Sequence, residues 1–250
     1  MRAETAASKV PAVTLGFWLI KILATTLGET GGDTVSMTLD LGYLAGSAIF
    51  LAVLVVLASL QIAAVRFRPW LYWATIIAST TAGTTMADFA TRSLGIGYPG
   101  GAMLLLACVQ LTLLAWHRSV GAISADDITQ PRAEMFYWVT ITFSQTLGTA
   151  LGDWVADSGL GYAGAALVFA AALAAIAILH FRSSVSRTML FWAAFITTRP
   201  LGAAVGDFLD KPVIKGGLAF SRPLASAVLA AAIVGLIIVL PQRTGRHTPA

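Results

Sequence analysis

The sequence predicts an all-α integral membrane protein with eight transmembrane helices, arranged as four parallel helix-hairpin repeats. Of the 250 residues, 57% are hydrophobic and only 11% are charged, which is unlike the composition of soluble domains. The apolar stretches have the length of about 20 residues that crosses the ~30 Å hydrocarbon core of a bilayer. A pattern of Trp, Gly and Asp also occurs four times, and an internal repeat of this kind decides the architecture.

Each copy of the repeat has a tryptophan, a glycine ten residues later and an aspartate fifteen residues later. We therefore expect a single membrane domain, 1–250, with repeats at 16–68, 71–118, 136–182 and 190–243 and a cytoplasmic linker, 119–135, between its halves. The predicted spans are 11–32, 43–65, 70–90, 100–117, 136–155, 162–181, 190–208 and 218–240. The four sets are Trp18, Gly28 and Asp33; Trp73, Gly83 and Asp88; Trp138, Gly148 and Asp153; and Trp192, Gly202 and Asp207.

The connections between the spans follow in order. Residues 1–9 precede an apolar segment that Lys21 interrupts, and no small-residue cleavage site follows, so we expect a first spanning helix rather than a secretory signal. The outer connections of the first three repeats share a Leu/Ile-Gly-Tyr sequence around Gly42, Gly97 and Gly161, which is typical of a tight turn at the membrane interface. The fourth connection, 207–223, is longer and basic, and we expect a lid or a partner-facing loop.

The basic residues predict the orientation of the helices, because cytoplasmic loops carry the excess of Lys and Arg. Ten of them lie on the flanks that include the N-terminus, and four lie on the opposite flanks. Both termini are therefore expected to be cytoplasmic, with the four repeat aspartates near the outer face. The net charge of +4 forms no patch, so a nucleic-acid partner is not expected. The larger set is Arg2, Lys9, Arg66, Arg68, Arg118, Arg132, Arg182, Arg187, Arg243 and Arg246, and the smaller is Arg92, Lys211, Lys215 and Arg222.

One face of the repeated helix carries small residues at the sixth, tenth and fourteenth positions after the tryptophan. Such a stripe lets helix backbones approach closely in lipid. We therefore expect the four odd-numbered helices to form a tightly packed, pseudo-symmetric inner cluster, with the even-numbered helices as a ring facing the lipid. The packing glycines are Gly28, Gly32, Gly83, Gly148, Gly152, Gly202 and Gly206.

The adjacent face is polar. An ionisable side chain within a membrane is costly, faces the protein interior or water, and usually has a function. Glu29 and the four repeat aspartates make five acids, and Lys21 and Arg199 are the two bases expected inside the bundle, which leaves about three negative charges uncompensated and favours a bound cation or bound protons. The expected metal ligands are Glu29, Asp33, Asp88, Asp153 and Asp207, with neutral oxygens from Thr25, Thr80, Thr84, Gln145 and Thr149.

Lys21 and Arg199 are the expected charge partners of these acids. Arg199 precedes Pro200, which loosens a helix. A pair between Arg199 and Glu29 is either a structural contact or a gate that opens when Glu29 binds a proton or an ion, and the sequence leaves both open. For any single threonine, a hydrogen bond to its own helix is the preferred explanation.

The chain resembles a bacterial membrane-protein family that is built from four copies of a short repeat of unknown function, each a pair of helices. The resemblance covers about 16–243 and rests on the sequences from Lys21 to Asp33 and from Tyr137 to Asp153. It implies a multi-pass protein of the bacterial cytoplasmic (inner) membrane, and it implies no established activity.

We expect a secondary transporter of a small cation, above all a divalent metal ion such as manganese, coupled to protons. Oxygen-rich surroundings without sulfur or histidine suit Mg²⁺, Ca²⁺ or Mn²⁺; the three histidines fall at the inner face, and Cys108 is the single cysteine. No enzyme is expected, because zinc-protease, serine-hydrolase and phosphate-loop motifs are missing from the sequence. No resident cofactor is expected, and a homo-oligomer is possible. Two alternatives stay open: a non-transporting assembly or sensor protein with structural polar networks, and a transporter of a small organic cation or zwitterion.

Overall fold

The computed structural model describes residues 9–121, 123 and 130–244. Within these ranges the chain forms eight long α-helices and no β-strand, and one antiparallel bridge between Pro11 and Thr244 holds the two ends of the described chain side by side. Much of the predicted linker, residues 122 and 124–129, lies outside the described residues, as do Arg2, Arg246 and His247. The helices are α1 (Leu15–Asp33), α2 (Gly42–Ala63), α3 (Pro69–Asp88), α4 (Gly97–Val120), α5 (Pro131–Val155), α6 (Gly161–Arg182), α7 (Arg187–Asp210) and α8 (Arg222–Val239).

A wider π-helical turn continues each of the first three odd-numbered helices beyond its aspartate. These turns are Thr34–Thr38, Phe89–Ser93 and Ala156–Leu160, and turns of this kind are often found at functional sites. A glycine then begins the next helix with a positive φ, +76° at Gly42, +63° at Gly97 and +65° at Gly161, which explains the repeated Leu/Ile-Gly-Tyr sequence. The fourth repeat differs, because α7 remains α-helical to Asp210 and a short 3-10 turn, Val213–Lys215, follows.

The four odd-numbered helices form a closed ring. Helix α1 packs against α3 and α7, and α5 packs against the same two helices. Each even-numbered helix packs mainly on the odd-numbered helix of the next repeat: α2 on α3, α4 on α5, α6 on α7 and α8 on α1. The two helices of a repeat are therefore joined by a short connection but pack mainly on different partners. Every odd-numbered helix already has two odd-numbered neighbours, so the even-numbered helix lies over the next repeat, and the last repeat closes on the first.

The small face of each odd-numbered helix contacts the polar face of the next helix around the ring. At each interface the glycine that lies ten residues after the tryptophan faces the residue that lies seven residues after the next tryptophan. No side chain larger than hydrogen fits there without a shift. A Cβ added to these glycines would lie 2.9 Å from Thr80 Cβ at Gly28, 3.3 Å from Gln145 Cβ at Gly83, 2.7 Å from Arg199 Cβ at Gly148 and 2.5 Å from Thr25 Cβ at Gly202.

Several helical segments are long and apolar enough to cross a membrane, which indicates a membrane protein. Five such segments lie in the described part of the chain: Gly42–Ala63, Gly97–Val120, Pro131–Arg182, Met189–Asp210 and Arg222–Val239. The third segment contains both α5 and α6, between which the chain turns at Gly159 (φ +103°) and Gly161 (φ +65°). Helices α1 and α3 are absent from this set; Lys21, Glu29 and Asp33 interrupt α1, and α3 is rich in serine and threonine.

Aromatic side chains close the end of the ring at which the odd-numbered helices begin. Phe17, Tyr72, Trp73, Tyr137 and Trp138 are buried in one cluster there. The hydroxyl oxygens of Tyr72 and Tyr137 lie 3.3 Å apart. This aromatic cluster leaves the interior of the ring to the polar side chains farther along the same helices.

Candidate functional site

A polar core fills the ring between the aromatic cluster and the connections that follow the odd-numbered helices. It consists of the side chains that the repeat places seven, eleven and fifteen residues after each tryptophan. The polar members are all buried: Thr25, Glu29, Asp33, Thr80, Thr84, Asp88, Gln145, Thr149, Asp153, Arg199 and Asp207. The structure thus brings every polar residue of the predicted face into the interior of the ring.

Lys21 forms the layer of the polar core nearest the aromatic cluster. Its Nζ donates a hydrogen bond to Gln145 Oε1 at 3.1 Å and lies 4.1 Å from the centroid of the Phe195 ring. Gln145 in turn donates to Ser79 Oγ at 2.8 Å. Among the residues that the structure describes, no carboxylate lies within 4.0 Å of this fully buried amine. The predicted role of Lys21 as a charge partner of the acids therefore has no counterpart in its contacts.

Arg199 forms the middle layer, where α7 meets α1. One terminal nitrogen, Nη2, donates to Glu29 Oε2 at 3.0 Å and to Thr84 Oγ1 at 2.5 Å, while Nη1 donates to the backbone oxygen of Thr25 at 3.1 Å. Arg199 is fully buried, and its Nε has no hydrogen-bond partner in the described part of the chain. The ion pair between Arg199 and Glu29 that the sequence suggested is present, and α7 continues through Pro200 without interruption.

Lys211 belongs to the layer farthest from the aromatic cluster, which we term the outer layer, on the side of α7 and α1. Its Nζ contacts Asp33 Oδ2 and lies 2.9 Å from Asp207 Oδ1 and 3.9 Å from Asp210 Oδ1. Arg222 lies beside this group, with its Nε 3.3 Å from Asp210 Oδ2. Burial lowers the pKa of Lys211, but Asp207, Asp33 and Asp210 more than reverse that effect, so the pKa lies well above its usual value and the side chain is an ammonium.

Arg92 forms the equivalent outer layer between α3 and α5. Its Nε lies 2.8 Å from Asp88 Oδ1 and its Nη2 lies 2.9 Å from Asp153 Oδ2. Both outer cations stand four residues after the aspartate of their own repeat and also contact the aspartate of the next odd-numbered helix. The second and fourth repeats therefore close their outer interfaces in the same way.

These outer cations correct the charge balance drawn from the sequence. The structure adds Arg92, Lys211 and Arg222 to the bases and Asp210 to the acids, so six acids stand with five bases. The count from the sequence was wrong because it took only the bases inside the odd-numbered helices, and Arg92 and Lys211 lie one helical turn beyond their aspartates. The four-residue spacing between Asp88 and Arg92, repeated at the fourth helix, was the signal that could have revealed them.

Three carboxylates form a group that could hold a metal ion, which we term the acidic triad: Glu29, Asp33 and Asp207. One oxygen of each lies within 4.8 Å of the others, and all three side chains are buried. Asp33 Oδ1 is buried with no hydrogen-bond partner among the described residues. A ligand set made only of oxygens suits a hard cation such as Mg²⁺, Ca²⁺ or Mn²⁺.

The remaining predicted ligands take other positions. Asp88 and Asp153 share Arg92, so the five expected carboxylates divide into the acidic triad and this pair. Thr25 and Thr149 donate to backbone oxygens of their own helices, at 2.8 Å and 3.3 Å, as buried threonines commonly do. Thr84 Oγ1 lies 3.2 Å from Glu29 Oε2. Within the described part of the chain, it is the only one of the predicted neutral oxygens that contacts the triad.

Comparison with known proteins gives one match. Residues 16–67, 71–122, 136–186 and 190–243 each match the repeat described as Repeat of Unknown Function (DUF347). A search of curated proteins and a search of solved structures each found no significant match.

Proposed function

We propose that this chain, which belongs to the DUF347 repeat family, is a secondary transporter of a small cation. The cation is above all a divalent metal ion such as manganese, and its transport is coupled to protons. The acidic triad is the single observation that carries the proposal. Three buried carboxylate oxygens within 4.8 Å of one another repel one another when ionised, and a cation or protons between them relieve that repulsion.

The proposal includes the arrangement of the chain in the membrane. All eight helices would span the bilayer of the bacterial cytoplasmic membrane as four parallel repeats, pseudo-symmetric about the axis of the ring, with both termini cytoplasmic. The antiparallel bridge between Pro11 and Thr244 is consistent with termini on one side. In this orientation the aromatic cluster closes the cytoplasmic end of the ring, and the acidic triad lies toward the outer side.

The contacts of the triad suggest how ions would exchange. Arg199 pairs with Glu29, and Lys211 contacts Asp33 and Asp207, so the protein's own cations compensate the triad when they are in place. Withdrawal of these cations leaves three buried carboxylates that require a metal ion or protons. The protein would thus alternate between a self-paired form and an open form whose triad holds either protons or a metal ion, and a metal ion that binds the open triad would displace the protons held there.

Manganese uptake into vesicles tests the proposal. The purified protein is reconstituted into liposomes, and Mn²⁺ entry is followed by quenching of an enclosed dye under an imposed pH gradient. Glu29→Gln and Asp207→Asn should abolish the uptake, whereas Asp157→Asn, which alters an exposed acid on the third π-helical turn, should leave it unchanged. Uptake that is equal in the wild type and both triad variants would overturn the proposal.

A non-transporting assembly or sensor protein is the second candidate, and one observation favours it. The cations in the polar core already pair with most of the carboxylates, as a structural network would require. In that case Glu29→Gln and Asp207→Asn would lower the thermal stability, and no preparation, wild type included, would show ion-dependent uptake.

A further inference from the structure

The ammonium of Lys211 stands at the acidic triad itself. It contacts Asp33 and lies 2.9 Å from Asp207, which are two of the three triad members, and the Lys211 side chain is only 8% exposed. A cation that belongs to the protein therefore lies between two of the three triad carboxylates. This observation is independent of the acidity of the cluster, since it concerns a positive group bound there.

Arg92 provides an internal comparison, because it stands at the same position in the second repeat. The planar guanidinium of Arg92 bridges Asp88 and Asp153 with two separate nitrogens. Among the residues described, these two aspartates are not part of a group of three that could hold a metal ion. An ammonium is instead a compact point charge, and Lys211 has carboxylate oxygens from three aspartates around it. Of the two outer cations, Lys211 is the one that resembles a bound ion.

The connection that carries Lys211 is largely exposed and is hydrogen-bonded to its own end of α7, where Ala219 N donates to Lys211 O at 2.9 Å. Residues 212–216 are exposed, and Val213 and Ile214 are 71% and 94% exposed. The segment after them folds back onto its own helix, where Leu218 N donates to Phe208 O at 2.7 Å and Phe220 N donates to Leu209 O at 2.8 Å. The connection therefore buries little apolar surface against the rest of the protein, and segments of this kind open at low cost.

We propose that Lys211 is a tethered cation that competes with a hard divalent metal ion for Asp33 and Asp207. With the ammonium in place the triad is closed to metal ions, and its withdrawal with the connection after α7 opens the site. The inference rests on the proposed function, since it names the device that regulates the same site. Removal of the ammonium should leave the carboxylates intact and make metal binding tighter.

Manganese binding to the purified protein in detergent tests the inference, with free Mn²⁺ measured by its electron paramagnetic resonance signal. Lys211→Met should bind Mn²⁺ at least about tenfold tighter than the wild type, a typical size for coupling between two ligands. Lys215→Met, which removes an exposed lysine from the same connection, should bind as the wild type does. Lys211→Arg, which keeps the positive charge, should also remain weak.

The outcomes separate this inference from the proposed function. Equal Mn²⁺ affinity in the wild type and Lys211→Met would overturn the competition and leave the metal site standing. Tight binding by Lys211→Arg would also overturn it, because the charge would then be irrelevant. Absence of binding in every variant, together with absence of vesicle uptake by the wild type, would overturn both. Lys211→Gln provides the same measurement if the methionine variant does not fold.

Discussion

Glu29 of α1 and Arg199 of α7 form a buried ion pair of 3.0 Å at the interface where the fourth repeat meets the first. The matching positions between α3 and α5 are Thr149 and Thr80, which are neutral. Lys211 closes the outer end of the same α7–α1 interface through Asp33. In the middle layer of the ring, the buried ion pair thus lies at the one interface that joins the two ends of the repeat array.

Glu29→Gln should lower the free energy of unfolding by about 3 kcal/mol, because it leaves Arg199 buried without a counter-charge. Denaturant titration in detergent micelles measures the change. Replacing both partners, as Glu29→Leu with Arg199→Met, should restore part of the loss, since neither charge is then buried. If the single variant unfolds at the denaturant concentration of the wild type, the pair does not stabilise the ring.

Gly202→Ala should destabilise the protein by about 1–3 kcal/mol through overpacking. The added Cβ would lie 2.8 Å from the backbone carbonyl carbon of Thr25, and a backbone atom cannot move aside as a side chain can. Gly235→Ala is the matched control, because no atom lies within 4 Å of its added Cβ; it should be neutral or stabilise by up to about 1 kcal/mol. Equal thermal unfolding of the two variants would contradict the close contact.

The sequence predicted the interior of the ring because helical spacing alone sorts side chains onto faces. Thr25 and Gly202 were assigned to a polar and a small face from their distances to the tryptophans, and the structure brings those two faces into contact. The pairing of Arg199 with Glu29 followed because these two were opposite charges near the middle of their helices. Neither inference required knowledge of which helices are neighbours.

Features that depend on the neighbours could not be predicted in this way. The packing of α8 on α1, rather than on α7, follows from closure of the ring and leaves no mark on either helix. The π-helical turns after Asp33, Asp88 and Asp153 depend on backbone geometry that composition does not encode. Lys211 was assigned to a loop because it lies beyond its span, although it contacts the interior acids through the last turn of α7.

A disulfide between α8 and α1 should test the closure of the ring. The hydroxyl oxygens of Ser226 and Thr30 lie 2.8 Å apart, so cysteines at both positions should oxidise to a disulfide, which requires close Cβ atoms. In a Cys108→Ser background, oxidation should protect both thiols from a maleimide-linked polymer that is added after denaturation, because position 30 is buried in the folded protein, and reduction should restore labelling. Each single cysteine should label fully under both conditions. Full labelling of the oxidised double variant would contradict the contact.

The orientation of the protein in the membrane should appear in the labelling of two exposed positions. In a Cys108→Ser background, Lys215→Cys places a thiol on the connection after α7, and Ser184→Cys places one between α6 and α7. The excess of basic residues at the ends that include Ser184 predicts that these ends are cytoplasmic. A membrane-impermeant maleimide should therefore label Lys215→Cys in intact cells and label Ser184→Cys only after lysis. The reverse pattern would invert the proposed topology and place the acidic triad toward the cytoplasm, because the triad and Lys215 lie at the same end of α7.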